Sequence, residues 1–331
     1  MIKTEKFQQL IDLDLLHQIT DDVYQLKVQY PFEMGEMNSY LFKGENGYTI
    51  VDTGSYAEQS KALWQDVIKE DFKIDKIVLT HTHPDHIGLA DWFQKEYGAS
   101  VHVSTLGAKQ LIKLRQNTQQ TALWLEFVEK NGGPHMPTEL VHLEADAYLF
   151  EPDFLFDEGD FIRLGDDFYE VIWTPGHSID HVCFYQKEKG IMIVGDHVIQ
   201  HLSPTVYLSL NDPHYNALDA YLTSLEKLKK YPTKMTLPGH GELIENLHER
   251  IDRTLRSHQR RLEQVLDLIS EEAKNAAEIS QEVYGDVELK LFINPLMATV
   301  TRLIFLEQLG EVNKEIKNGI IYYKRREKKL D

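Results

Sequence analysis

The stretch Thr80-His81-Thr82-His83-Pro84-Asp85-His86 constrains this chain more than any other. Potential metal ligands crowd into it directly after the apolar run Ile77-Val78-Leu79. A short strand over 76–79 would deliver all of them onto one loop at its C-terminal end. Imidazole nitrogens and a carboxylate oxygen suit Zn²⁺, and also Fe or Mn, better than Ca²⁺ or Mg²⁺. His81, His83, Asp85 and His86 together exceed the needs of one catalytic ion, which keeps a coordination position open. His81 and His83 could hold one ion while Asp85 and His86 hold a neighbour, the layout of a two-metal hydrolytic site.

A lone His-x-His arises often by chance on a solvated surface. A longer run placed after a strand is a different matter, and its downstream partners strengthen it. Asp52 ends the apolar run Tyr48-Thr49-Ile50-Val51 and precedes Thr53-Gly54. His177 follows Val171-Ile172-Trp173 in Thr174-Pro175-Gly176-His177. Asp196 follows Ile191-Met192-Ile193-Val194 and Gly195, and His240 follows Met235-Thr236-Leu237 in Pro238-Gly239-His240-Gly241. Each polar residue sits where an apolar strand gives way to a Gly- or Pro-marked turn. Loops at the carboxyl ends of strands are held by a rigid sheet, and ligands gather there.

With these motifs in this order, the chain resembles the metallo-β-lactamase-fold hydrolases over about residues 22–245. The resemblance implies an α/β fold, the αββα sandwich of that superfamily, and a pair of divalent metal ions, with Zn²⁺ expected and Fe or Mn as alternatives. Carried over residue by residue, it implies His81, His83 and His177 on the first metal. Asp85, His86 and His240 would bind the second, and Asp196 would bridge both. It further implies that Asp52 orients the ligand loop without binding metal itself.

The true β-lactamases of this superfamily lack a bridging aspartate, and several place a cysteine near that position. Here the position is Asp196, and the only cysteine, Cys183, lies inside Val182-Cys183-Phe184-Tyr185, where a small buried hydrophobe is expected. The pattern is instead similar to the glyoxalase II-like thioesterases, lactonases and nucleases. The implied chemistry is hydrolysis by a metal-bridging hydroxide, one metal polarising the scissile carbonyl or phosphoryl oxygen. Asp85 could accept the proton of the bridging water, or serve as a ligand only.

Along the chain, strands are expected at 23–28, 39–42 and 48–51, with Gly44 and Gly47 marking the turn between the last two. A helix is expected over 57–71, another over about 88–97, and helical character over 106–131. The 90 residues between His86 and His177 exceed what the superfamily's minimal members use, so a helical insertion is expected at about 105–150. It could roof the site, form a peripheral contact between copies, or be inert decoration. His181 and His197 adjoin metal-ligand positions, and the segment with His201, Tyr207, Asn211, Asp212, His214 and Tyr215 is expected at the mouth of the site. None of these has an assigned role.

Residues 1–245 form the expected catalytic domain and 246–331 a separate unit. There, helices are expected at 247–273, 276–284 and 294–309, followed by a hairpin turning at Asn318-Gly319. Helix, helix, helix, hairpin resembles a winged helix. It suggests nucleic acid, and Lys324-Arg325-Arg326-Glu327-Lys328-Lys329 supplies a basic end. The third helix argues against this, because Asn294–Arg302 carries a single basic residue where a groove-reading helix carries several.

Charge weighs on the substrate class. The net charge is −18, and all of the excess lies in residues 1–245, since the 15 acidic and 15 basic residues beyond them cancel. An acidic catalytic part repels long polyanions. The leading expectation is therefore hydrolysis of a small ester, thioester or lactone. A metal-dependent endoribonuclease using the tail as an RNA anchor is the alternative, and a catalytically silent binding or regulatory protein the third. No apolar run is long enough for a membrane span, and Met1–Lys6 does not open a signal segment. One cysteine excludes an internal disulfide and fits the cytoplasm. A homo-oligomer is compatible with all three.

Overall fold

The structure, a computed structural model, describes residues 15–29, 35–68, 72–116, 120–138, 145–206, 208–210, 212 and 215–327. Met1–Lys6, Tyr207, Asn211, His214, Lys328 and Lys329 lie outside these residues. The chain divides into two compact units. The first comprises 1–116, 144–202 and 229–247, and the second 117–143, 203–228 and 248–331.

Side-chain alternation builds the first unit. Its larger sheet takes β1 (His17–Gln18), β2 (Val23–Gln29), β3 (Glu36–Gly44), β4 (Gly47–Val51), β5 (Ile74–Val78), β6 (Ser100–Ser104) and β7 (Phe154–Phe156) in sequence order. The first four strands pair antiparallel, and β4 to β7 pair parallel. The second sheet runs β12-β11-β10-β9-β8, from β8 (Phe161–Leu164), β9 (Asp167–Trp173), β10 (Val182–Gln186), β11 (Ile191–Gly195) and β12 (Met235–Pro238).

Successive strand residues point to opposite faces, and here both faces of the larger sheet are buried. Val23, Tyr40, Phe42, Val51 and Val78 meet Ile162, Tyr169, Val171, Phe184, Ile193 and Leu237 of the second sheet. Their alternates Leu26, Leu41, Ile50 and Ile77 pack under helices. Those helices are α1 (Glu58–Val67), α2 (Pro84–Ile87), α3 (Ala90–Tyr97) and α4 (Thr105–Gln116). Trp64 of α1 and Phe93 of α3 anchor the layer edge to face, 5.1 Å between centroids. Burying each such side chain contributes about 1.5–3 kcal/mol.

The helix expected over about 88–97 is α3, and ahead of it stands the short α2, opened by Pro84, which has no N–H to lose at a first helical position. Asp85 and His86 therefore stand on a helical turn rather than a loop. The helical character expected over 106–131 falls on α4 and on α5 (Gln120–Lys130).

The second unit holds α5, α6 (Ala217–Leu228), α7 (Leu247–Leu268), α8 (Ala276–Tyr284) and α9 (Ile293–Gln308). A three-stranded sheet ordered β13-β15-β14 joins them, from β13 (Lys274–Asn275), β14 (Val312–Lys317) and β15 (Ile320–Arg325). The long helix expected over 247–273 stops at Leu268, where Ser270 N and Oγ donate to the Asp267 carbonyl, and Lys274 and Asn275 pair with Tyr323 and Tyr322 instead. Asn275 then caps α8: its side chain accepts from Glu278 N at 2.9 Å, while the Glu278 carboxylate accepts from Asn275 N at 2.8 Å. The hairpin turns at Asn318 (φ 52) and Gly319 (φ 82), the positive pair that matches strand twist. Leu123, Phe127, Leu208, Val300, Ile304 and Tyr323 help line a cavity of about 600 Å³ within this unit. Among the described residues no helix is long and apolar enough to cross a membrane.

Candidate metal centre

The first unit brings the sequence-predicted ligands together at the C-terminal ends of β4, β5, β9, β11 and β12. His81, His83 and His177 form one group able to hold a metal ion, and Asp85, His86, Asp196 and His240 form another. Within each group the ligand atoms lie within 4.8 Å of one another. Asp196 faces both. Its Oδ2 is 3.6 Å from His177 Nε2 and 3.4 Å from His240 Nε2, and its Oδ1 is 3.3 Å from His86 Nε2.

Tautomers follow from the partners on the far side of each ring. Asp52 Oδ1 accepts from Thr80 N at 2.8 Å and its Oδ2 from Thr80 Oγ1 at 2.7 Å. The same Oδ2 accepts from His86 Nδ1 at 2.8 Å, which leaves Nε2 facing the site; burial opposes protonation of this ring, yet Asp196, Asp52 and Asp85 raise it well above the usual imidazole range. Because the Thr80 hydroxyl proton is committed to Asp52, His81 Nδ1 donates to Thr80 Oγ1 at 3.0 Å. His240 Nδ1 donates to the Glu36 carbonyl at 2.7 Å. Each of these imidazoles thus presents Nε2 to the site, the arrangement in which an outer partner fixes a metal-binding histidine.

Electrostatics agree with the hydrogen bonds. Burial, reinforced by the rings of His86 and His83, holds His81 well below the usual imidazole range. Burial lowers His83 as well. Burial pushes the Asp196 carboxyl up, but the His240 and His86 rings beside it pull it well below the usual carboxylate range. Burial opposes protonation of His240, yet Asp196 and Asp85 push it up to about 10. The attraction that holds a proton there would equally hold a divalent cation. His81 Nε2 is a buried acceptor without a hydrogen bond, which ordinarily costs about 1–3 kcal/mol. A neutral imidazole lone pair in that position suits a cation.

Backbone fit is close. A Cβ on Gly239 would stand 2.2 Å from Asp196 Oδ1 and 2.8 Å from the His86 ring. The turn is held by Asn38, whose Nδ2 donates to the carbonyls of Pro238 and Gly241 at 3.0 and 2.9 Å, and by Tyr40 Oη, which donates to Pro238 O at 2.7 Å. Sequence reasoning assigned no role to Asn38, Tyr40 or the Glu36 carbonyl, since neither a strand asparagine nor a carbonyl has a sequence signature. The adjacency of Thr80 to His81 was a usable signal.

His181 and His197 are fully buried in this unit, their rings 5.5 Å apart. His201 lies exposed, and Asp212 and Tyr215 belong to the second unit.

A model of the metallo-beta-lactamase superfamily matches residues 35–240. The chain belongs to this superfamily. It is 26% identical over 317 residues to the probable metallo-hydrolase YqjP of Bacillus subtilis, covering 92% of this chain and 98% of that protein. An atrochrysone carboxyl ACP thioesterase of Aspergillus fumigatus is 25% identical over 234 residues, 69% of this chain and 58% of that protein. A crystal structure of a metallo-beta-lactamase family protein from Thermus thermophilus superposes with a TM-score of 0.81 at 25% identity, over 93% of this chain and 100% of that one. The chain is accordingly a hydrolase of this superfamily, and the expectation of a catalytically silent binding protein is set aside.

Proposed function

We propose that this protein hydrolyses a small thioester, ester or lactone at a dinuclear metal centre. The observation that carries the proposal is the place of Asp196 between two ligand groups, its carboxylate within 3.6 Å of imidazoles from both. In this reading His81, His83 and His177 hold one cation, Asp85, His86 and His240 hold the other, and Asp196 bridges. Zn²⁺ is the expected metal. When bound, such a pair supplies a nucleophile at neutral pH and a Lewis acid for the carbonyl oxygen.

The chain's own residues do the rest. Asp52 locks His86 directly and His81 through Thr80, so both rings stay aimed without reorganisation. Asp85, at 13% side-chain exposure the most open carboxylate of the group, is placed to accept a proton. The buried surroundings of His81 and Asp196 exclude bulk water and strengthen each electrostatic contact.

Relatedness to a thioesterase favours the thioester among the three substrates. The endoribonuclease is kept as the second reading because α7, α8, α9 and the β13-β15-β14 sheet follow winged-helix order, which we take as an appended domain. Against it, Arg302 is the single basic residue of α9, and its Nη1 is committed to Tyr284 Oη at 3.0 Å and Ala298 O at 2.7 Å. A structural role for this domain is the better reading.

The test is turnover of thioester, lactone and labelled single-stranded RNA panels by metal-loaded protein, with Asp85→Ala as control. Thioester or lactone turnover lost in the variant supports the proposal. RNA cleavage lost in the variant, without small-substrate turnover, replaces it by the second reading.

A further inference from the structure

A buried hydrogen-bonded circuit in the first unit has no part in the function proposed above. Asp196 N donates to His181 Nε2 at 3.2 Å. With Nε2 accepting, the ring proton resides on Nδ1, which donates to Thr174 Oγ1 at 2.8 Å. Thr174 Oγ1 lies 3.4 Å from Cys183 Sγ, and Cys183 Sγ donates to the Val194 carbonyl at 3.9 Å. The Thr174 hydroxyl proton has two acceptors in reach, the sulfur and the His181 carbonyl at 3.5 Å. The circuit leaves the end of β11 at the Val194 carbonyl and returns to it at the Asp196 amide.

Thr174, His181, Cys183 and Val194 are all fully buried, so no water competes for these groups. Gly195 takes φ +47, and a Cβ there would stand 2.6 Å from His181 Nε2. The ring is packed directly against the backbone that carries Asp196. Its own backbone is tied down twice: Thr174 N donates to His181 O, and Val182 N donates to Thr80 O, both at 2.9 Å.

We propose that His181 is a positioning residue, the spacer in a Val194–Cys183–Thr174–His181 circuit that fixes the Gly195-Asp196 backbone and so sets the Asp196 carboxylate between the two ligand groups. The inference rests on the dinuclear reading. It gives Cys183 a second role besides filling space, as a weak donor within reach of the Thr174 hydroxyl. It also explains why a histidine, with opposed acceptor and donor, stands where an apolar residue would otherwise fill the space.

The test is titration of the metal-free full-length protein with Co²⁺, reading affinity and the visible spectrum, beside thermal unfolding of each variant. Asp196→Asn should lose tight binding, as the dinuclear reading requires. His181→Phe keeps a ring and removes both nitrogens, and should weaken cobalt binding roughly 10- to 100-fold with an altered spectrum. His181→Gln can accept from Asp196 N and should recover most of the loss. Thr174→Val should move affinity the same way, by less.

Wild-type affinity and spectrum in both His181→Phe and Thr174→Val, with Asp196→Asn impaired, would overturn the positioning role alone. Wild-type binding in Asp196→Asn would overturn the dinuclear reading beneath it. Should His181→Phe not fold, Thr174→Val and His181→Gln decide: wild-type affinity in Thr174→Val, or no recovery in a folded His181→Gln, counts against the inference.

Discussion

Asp52 stands in the left-handed region at φ 59, where a non-glycine residue is uncommon and aspartate among the better tolerated. Its carboxylate accepts from Thr80 N, Thr80 Oγ1 and His86 Nδ1. Asparagine can adopt the same backbone, so Asp52→Asn isolates the chemistry of the carboxylate. Its amide would face the His86 Nδ1 proton with another donor, driving the ring to the tautomer whose Nε2 carries hydrogen. We expect metal affinity to fall roughly 10- to 100-fold and stability by about 1.5–3 kcal/mol, measured by chelator competition and urea unfolding. His258 makes a separate case in the second unit. It is 4% exposed, neither ring nitrogen has a hydrogen bond, and burial pushes it down to about 3. Its folded value lies below the unfolded one of about 6.5, so the unfolded chain takes up the proton first. The stability it leaves intact above pH 6.5 is lost as pH falls toward 3. His258→Phe should flatten this acid limb and hold stability at pH 7, as followed by unfolding at stepped pH. A variant with the wild-type acid limb would remove His258 from the account.

At the scale of elements, the strands were legible because apolar runs and glycines stand together in the sequence. β2, β3 and β4 fall where alternation places them, and the candidate ligands sit just past strand ends. What was not legible depends on tertiary pairing. Ser270 closes the end of α7 locally, its N and Oγ donating to the Asp267 carbonyl, but that Lys274 and Asn275 then run as a strand depends on the partners β15 offers them. Thr80, Asn38 and the Glu36 carbonyl escaped notice for the same reason, since their partners are far along the chain, 28 residues for Thr80 with Asp52 and 200 or more for Asn38 and Glu36. The hairpin at Asn318-Gly319 was readable because both positions need positive φ, at 52 and 82. Gly319→Val should therefore cost about 1–2 kcal/mol, read as a lowered unfolding midpoint. An unchanged midpoint would mean that the turn does not constrain β14 and β15.

For the whole molecule, segments distant in sequence share a unit: residues 117–143 and 203–228 cluster with 248–331. A reading along the chain sees order and composition, and which segments pack together is decided by surfaces that form later. The charge of −18 bears on function at this scale. Turnover of a small thioester or lactone should depend weakly on salt, whereas RNA cleavage would fall steeply as counterions compete. A steep decline between 50 and 200 mM salt, roughly the range in which phosphate-dominated binding collapses, would point to the polyanion. The most direct measurement of the central claim is metal content per folded chain, by elemental analysis of protein loaded with Zn²⁺ and freed of excess. The account predicts two ions in the wild type and fewer in Asp196→Asn. One ion in the wild type, or two in Asp196→Asn held as tightly as in the wild type, would contradict a centre bridged by Asp196.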